Sequence, residues 1–223
     1  MRRHFEEQID ECNARLLHMG SLAERMIDKS IQCLLDRSAE GRQEVFRDEN
    51  EVNSLHIEID ERAISALALQ HPVAADLRLL VMVPKIAGEL ERIGDQAVNI
   101  CQHNSSVLQQ PAAEISTNIP SMAGVVRGML RESLEAFVRR DIELAQKVLD
   151  TDDKVDAFKD QIFFELLGRM MSERAAIPRA VELILISRSL ERVADHATNI
   201  AEEVIYVAQG RDVRHHHEDR NRS

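Results

Sequence analysis

Apolar residues recur at alternating steps of three and four along most of the chain, which is the period of one helix face. Over about 4–38 the stripe is Phe5, Ile9, Cys12, Leu16, Met19, Ala23, Met26, Ser30 and Ile31, which predicts one long helix that tolerates Gly20 in its interior. A second helix is predicted over about 41–70, with Val45, Val52, Leu55, Ile59, Ala66 and Leu69 inward. His71-Pro72 interrupts it, and Pro72 suits the first turn of a third helix over about 73–107, in which Pro84 predicts a local kink. Residues 104–119 carry Asn, Ser, Pro and Thr without helical period and read as a linker. Pro120 then opens a fourth helix to about 140. Asp141 is placed to cap a fifth, whose stripe is Leu144, Val148, Val155, Phe158, Ile162 and Leu166. Ala175-Ala176-Ile177-Pro178 breaks that stripe, and a sixth helix over about 178–209 ends at Gly210 as a left-handed cap. The charged, His-rich stretch 211–223 is expected to be disordered. No stretch alternates with period two over a strand length. The expectation is an all-α chain of two tandem three-helix bundles, 1–108 and 119–210. Short connections at 70–73 and 173–178 make the helices that flank them antiparallel neighbours.

A twelve-residue block occurs twice, at 89–100 and at 189–200. Seven of its positions are identical at a constant offset of 100 residues. Each copy spaces a Glu, an Asp and an Asn at i, i+4 and i+8: Glu91, Asp95 and Asn99, then Glu191, Asp195 and Asn199. Such residues share one helix face, drifting about 40° per step. Leu90, Ile93, Ala97 and Ile100, with their counterparts Leu190, Val193, Ala197 and Ile200, form a separate apolar stripe. Core and acidic ladder are therefore different faces of one helix.

Folding the hairpins back about residues 71 and 175 sets position 49 opposite 93 and position 156 opposite 194. Glu49 and Asn53 then face Glu91 and Asp95, and Asp152 and Asp156 face Glu191 and Asp195. Oxygen ligands at this density repel one another and suit a hard cation such as Mg²⁺, Ca²⁺, Mn²⁺ or iron. The plainer alternative is a solvated acidic face in which Arg92 and Arg192 pair with Asp95 and Asp195 at i+3. Asn99 and Asn199 are neighbours of these sets at most.

Composition narrows the classes. Aromatic residues are 3% of the chain, with no Trp, so the core is aliphatic and suits helix packing. The net charge of −11 argues against wholesale binding of a nucleic-acid backbone and favours cations or basic protein surfaces. Cys12, Cys33 and Cys101 lack CxxC spacing and read as buried packing residues in a reducing compartment. No apolar run approaches the ~18 residues of a membrane span. The start of the chain lacks the apolar core of a signal peptide, so a soluble cytoplasmic protein is expected. There is no Gly-rich phosphate loop, nucleophile elbow or Cys-x5-Arg loop, and no Glu precedes a His by three residues as a di-iron bundle requires. His215, His216 and His217 read as a solvated tail.

Gln70-His71-Pro72-Val73-Ala74-Ala75-Asp76-Leu77-Arg78, leading to Glu91-Arg92-Ile93-Gly94-Asp95, resembles the PhoU family of phosphate-signalling proteins. So do Glu191-Arg192-Val193-Ala194-Asp195 and the ending Gly210-Arg211-Asp212-Val213-Arg214-His215. The resemblance spans about residues 4–215. It implies two pseudo-symmetric three-helix bundles. It also implies, in some members, multinuclear iron or zinc clusters on Glu/Asp-x-x-x-Asp motifs. Glu91 and Asp95, Asp152 and Asp156, and Glu191 and Asp195 match that motif, whereas Asn53 departs from it beside Glu49. Iron, zinc, manganese or magnesium are the expected ions. The implied function is that of a non-enzymatic cytoplasmic regulator that restrains the phosphate-starvation response. It would link the ATPase subunit of a phosphate ABC transporter to a membrane sensor histidine kinase and favour the kinase's phosphatase state when phosphate is plentiful. A homodimer is expected, without nucleic-acid binding or membrane insertion. The alternatives are a metal-cluster hydrolase and a purely structural helical dimer.

Overall fold

The computed structural model describes residues 2–70, 72–110 and 118–210. Six helices follow in order: α1 (Arg2–Leu35), α2 (Arg42–Gln70), α3 (Ala74–Leu108), α4 (Asn118–Arg139), α5 (Ile142–Ser172) and α6 (Ile177–Gln209), with one 3-10 turn at Arg174–Ala176. The described residues contain no strand. Helices α1–α3 pack as one bundle and α4–α6 as the other. No described helix is long and apolar enough to cross a membrane.

The two bundles share one core. The most extensive helix pair in the molecule is α3 against α6, and α1 also packs on α4. The repeated apolar stripe lies at this centre: Leu90, Ile93, Ala97 and Ile100, and Leu190, Val193, Ala197 and Ile200, are fully buried. Gly20 explains itself here, because a Cβ at this position would overlap the Leu134 side chain of α4. The glycine lets the two bundles approach where α1 meets α4.

Local signals account for several helix ends. Leu144 N donates to Asp141 Oδ1 at 3.0 Å, so Asp141 caps α5. Gly210 closes α6 at φ 68°, with its N–H donating to Tyr206 O at 2.8 Å. Arg37 and Arg140 adopt positive φ (50° and 53°) just past the ends of α1 and α4, equivalent places in the two bundles. Between α1 and α2, Asp48 is buried and accepts from Arg25 Nε at 2.7 Å.

Four expectations need correction. The stretch 104–108 is not linker: α3 continues to Leu108, because buried Asn104 donates to Ser30 O (2.6 Å) and Ser105 accepts from Arg42 (2.8 Å). Polar residues there serve interhelical contacts, which break the apolar period without breaking the helix. α4 begins at Asn118, so Pro120 lies within its first turn, and Pro72 precedes α3 without entering it. Leu69, assigned inward, is 70% exposed. His71, residues 111–117 and the tail 211–223 lie outside the described residues.

Candidate cation and seam sites

In the second half, the hairpin arithmetic brings α5 acids to α6 acids, as the sequence expects. What joins them is Lys159, one turn beyond Asp156 on α5. Its Nζ donates to Asp156 Oδ1 at 2.6 Å and to Glu191 Oε1 at 3.1 Å. These hydrogen bonds push the Lys159 ammonium above its usual range, chiefly through Asp156 and then Glu191. Asp195 belongs to the same neighbourhood. Burial raises its carboxyl, the charges of Glu191 and Asp156 raise it further, and His196 and Lys159 oppose them. Asp152 is half-buried on the same helix.

The first half differs. Asn53 Nδ2 donates to Glu49 Oε1 at 2.8 Å within α2, while Glu91 and Asp95 make no hydrogen bond or ion pair among the described residues. No cross-helix cluster like that of Lys159 forms. No group of three or more His, Cys, Asp and Glu among the described residues is arranged to hold a metal ion. As arranged, the second-half carboxylates Asp156 and Glu191 are bridged by an ammonium. Their charge is met by the chain's own lysine. The i+3 pairing of Asp95 and Asp195 with Arg92 and Arg192 does not form either. Arg92 turns back to Glu89 at 2.9 Å, and Arg192 makes no hydrogen bond or ion pair among the described residues.

A second polar site lies on the α3–α6 seam. Glu89, nearly buried there, accepts from His196 Nδ1 (2.8 Å), Asn199 Nδ2 (3.0 Å) and Arg92 Nη1 (2.9 Å). Burial alone would raise its carboxyl. The bonds from His196 and Asn199, helped by Arg92, outweigh burial and hold it below the usual carboxylate range. Asn199 thus serves Glu89, not the acidic ladder, and Asn99 bonds Gln96 (3.3 Å). Further along the seam, His103 Nδ1 and Glu182 Oε2 lie 2.8 Å apart. Cys12, Cys33 and Cys101 are buried thiols, and burial pushes Cys101 up to about 12. All three sit at buried packing positions.

A family model, the PhoU domain, matches residues 16–103 and 119–204, one match in each bundle. The chain belongs to the PhoU family. It is 34% identical over 214 residues to the phosphate-specific transport system accessory protein PhoU homolog of Pseudomonas aeruginosa, covering 96% of this chain and 88% of that protein. Against the PhoU accessory protein of Escherichia coli it is 30% identical over 211 residues, with 95% and 88% covered. The crystal structure of PhoU from Pseudomonas aeruginosa superposes with a TM-score of 0.89 at 33% identity, over 93% of this chain and all of that one. The all-α double bundle is thus a PhoU fold.

Lys159 and Glu89 were the residues that sequence reasoning missed in this PhoU chain. A signal for Lys159 existed, since it stands three residues after Asp156 and so on the same helix face. Glu89 opens the repeated block, but its partners His196 and Asn199 come from the other bundle.

Proposed function

We propose that the chain is an accessory protein of a phosphate transport system that restrains the phosphate-starvation response. The carrying observation is the end-to-end likeness to relatives named as accessory proteins of phosphate-specific transport, in both halves and in the same order. The chain acts by docking and not by turnover, linking the transporter's ATPase subunit to a sensor histidine kinase in the cytoplasm. Large apolar side chains support docking. Ile64, Leu69 and Val73 near the α2–α3 turn, and Phe164, Met171 and Ile177 near the α5–α6 turn, are solvent-exposed at equivalent ends of the two hairpins. Apolar side chains left together on a surface mark interaction faces. The acting species in this proposal is a homodimer, which light scattering on the purified chain checks. Divalent metal at Asp156, Glu191 and Asp195 is part of the proposal only where Lys159 swings out.

Deleting the gene and measuring alkaline phosphatase in phosphate-rich medium tests the reading. High activity, returned to the wild-type level by the intact gene, is expected. Unchanged activity in a host with no second copy overturns it.

A further inference from the structure

The 100-residue repeat sets two seam positions side by side for comparison. In one, the Glu89 carboxylate is an internal anion that collects Arg92, His196 and Asn199. The equivalent position in the other carries Ser189, and the equivalent surroundings are Arg192, Gln96 and Asn99. The donors remain and the carboxylate is missing. These residues line a hollow of about 500 Å³ between α3 and α6, with Arg188 and His103 at its wall.

Several of the hollow's donors have no acceptor among the described residues. Among the described residues neither guanidinium, Arg188 or Arg192, makes a hydrogen bond or ion pair, and Ser189 Oγ makes none. Gln96 is buried and accepts from Asn99 through its oxygen, and its amide nitrogen makes no hydrogen bond among the described residues. Arg188 and Arg192 stand at i and i+4 on α6, so both guanidinium groups reach the same mouth. The one acid lining the hollow, Glu191, is already engaged by Lys159, and His103 at the wall is engaged with Glu182. Two exposed guanidinium groups and the amide of Gln96 thus converge on one hollow, an arrangement that suits an incoming anion.

We infer that this hollow is a binding site for a small phosphate-class oxyanion, which takes the place that the Glu89 carboxylate fills in the other half. The shared chemistry is a tetrahedral group with several acceptor oxygens, bound by paired guanidinium forks and amide donors. Inorganic phosphate and the terminal phosphate of a nucleotide both present it. The inference stands on seam geometry and does not depend on the adaptor reading.

Isothermal titration of the full chain with inorganic phosphate, and separately with ATP, tests it. Saturable binding at about 1 mM or tighter is expected for at least one of them. Binding of phosphate alone identifies the free anion, and binding of ATP alone identifies a phosphorylated metabolite. Arg188→Ala and Arg192→Ala should each weaken it about tenfold. Ser189→Glu, which installs the internal carboxylate, should abolish binding while the helical circular dichroism stays intact. Lack of saturable binding by either probe overturns the inference, as does equal binding by wild type, Arg192→Ala and Ser189→Glu. Because the two arginines are exposed, their variants remain informative even if Ser189→Glu fails to fold.

Discussion

The two halves of the molecule share a backbone plan and an apolar stripe, yet they meet their charges differently. The first half has an internal anion on the seam, Glu89, and an acidic ladder that no lysine joins across α2 and α3. The second half has an internal cation at its ladder, Lys159, and a seam position without an anion. The core residues of the repeated block match in type and burial, because both stripes enter one shared core. Polar positions on the other faces are free to diverge, since each needs only a complementary partner. A repeat therefore reports the fold faithfully and the chemistry only position by position.

The largest effect should be the one that treats the halves alike. Leu90→Ala and Leu190→Ala each leave a cavity at a fully buried site, and each should cost about 2–5 kcal/mol in denaturant unfolding. Both variants should unfold in a single transition, because the core is continuous. Two separated transitions would break the shared-core description.

Next comes a difference between the halves that pH exposes. The Glu89 carboxyl lies below its ordinary value of 4.5 in the folded chain. Its stabilisation is therefore present above that value and is lost as pH falls through the lower, folded one. Glu89→Gln should cost about 1–2 kcal/mol near neutral pH and progressively less in acid, giving a flatter acid limb of stability. A constant loss across pH would mean that packing, not charge, explains the site.

Lys159→Ala should cost about 1 kcal/mol, since its partners are partly solvated, and it should leave Asp156 and Glu191 crowded. The same variant should gain Mn²⁺ or Mg²⁺ affinity relative to wild type, read by titration and by metal analysis of untagged protein. If wild type already carries stoichiometric metal, the lysine is not the resident cation.

The smallest effect is Asp195→Asn. Its carboxyl is raised, so the ionised form is a penalty above the raised value that is relieved as pH falls. The substitution should stabilise by less than about 1 kcal/mol at neutral pH and by nothing in acid, measured by urea unfolding. Destabilisation would mean that the carboxylate has a partner worth more than its crowding.

Helix order, the Asp141 and Gly210 caps and the split between core and ladder faces were legible in the sequence. Each depends on residues within a turn or two of one another. The hairpin fold-back also brought Asp156 toward Glu191, because a short connection fixes the register of its flanking helices. Three features were not legible. Asn104 looked like linker because it is polar, and only its bond to Ser30, 74 residues away, shows why a helix keeps it. The Glu89 site draws on α6 of the other bundle, and no hairpin register specifies how α3 crosses α6. Leu69 looked inward by period, but it lies at a hairpin end where the bundle no longer covers that face.

The central claim is that equivalent seam positions are matched to opposite needs, one filled by its own carboxylate and one lacking it. Reciprocal substitution tests this most directly, through the urea-unfolding free energies of Glu89→Ser and Ser189→Glu at neutral pH. Glu89→Ser should lose about 1–3 kcal/mol, because His196 and Asn199 lose their acceptor. Ser189→Glu should hold or gain stability, because Arg192 and the amide of Gln96 await one. Equal losses in both variants, as expected of a carboxylate buried without partners, would contradict the account.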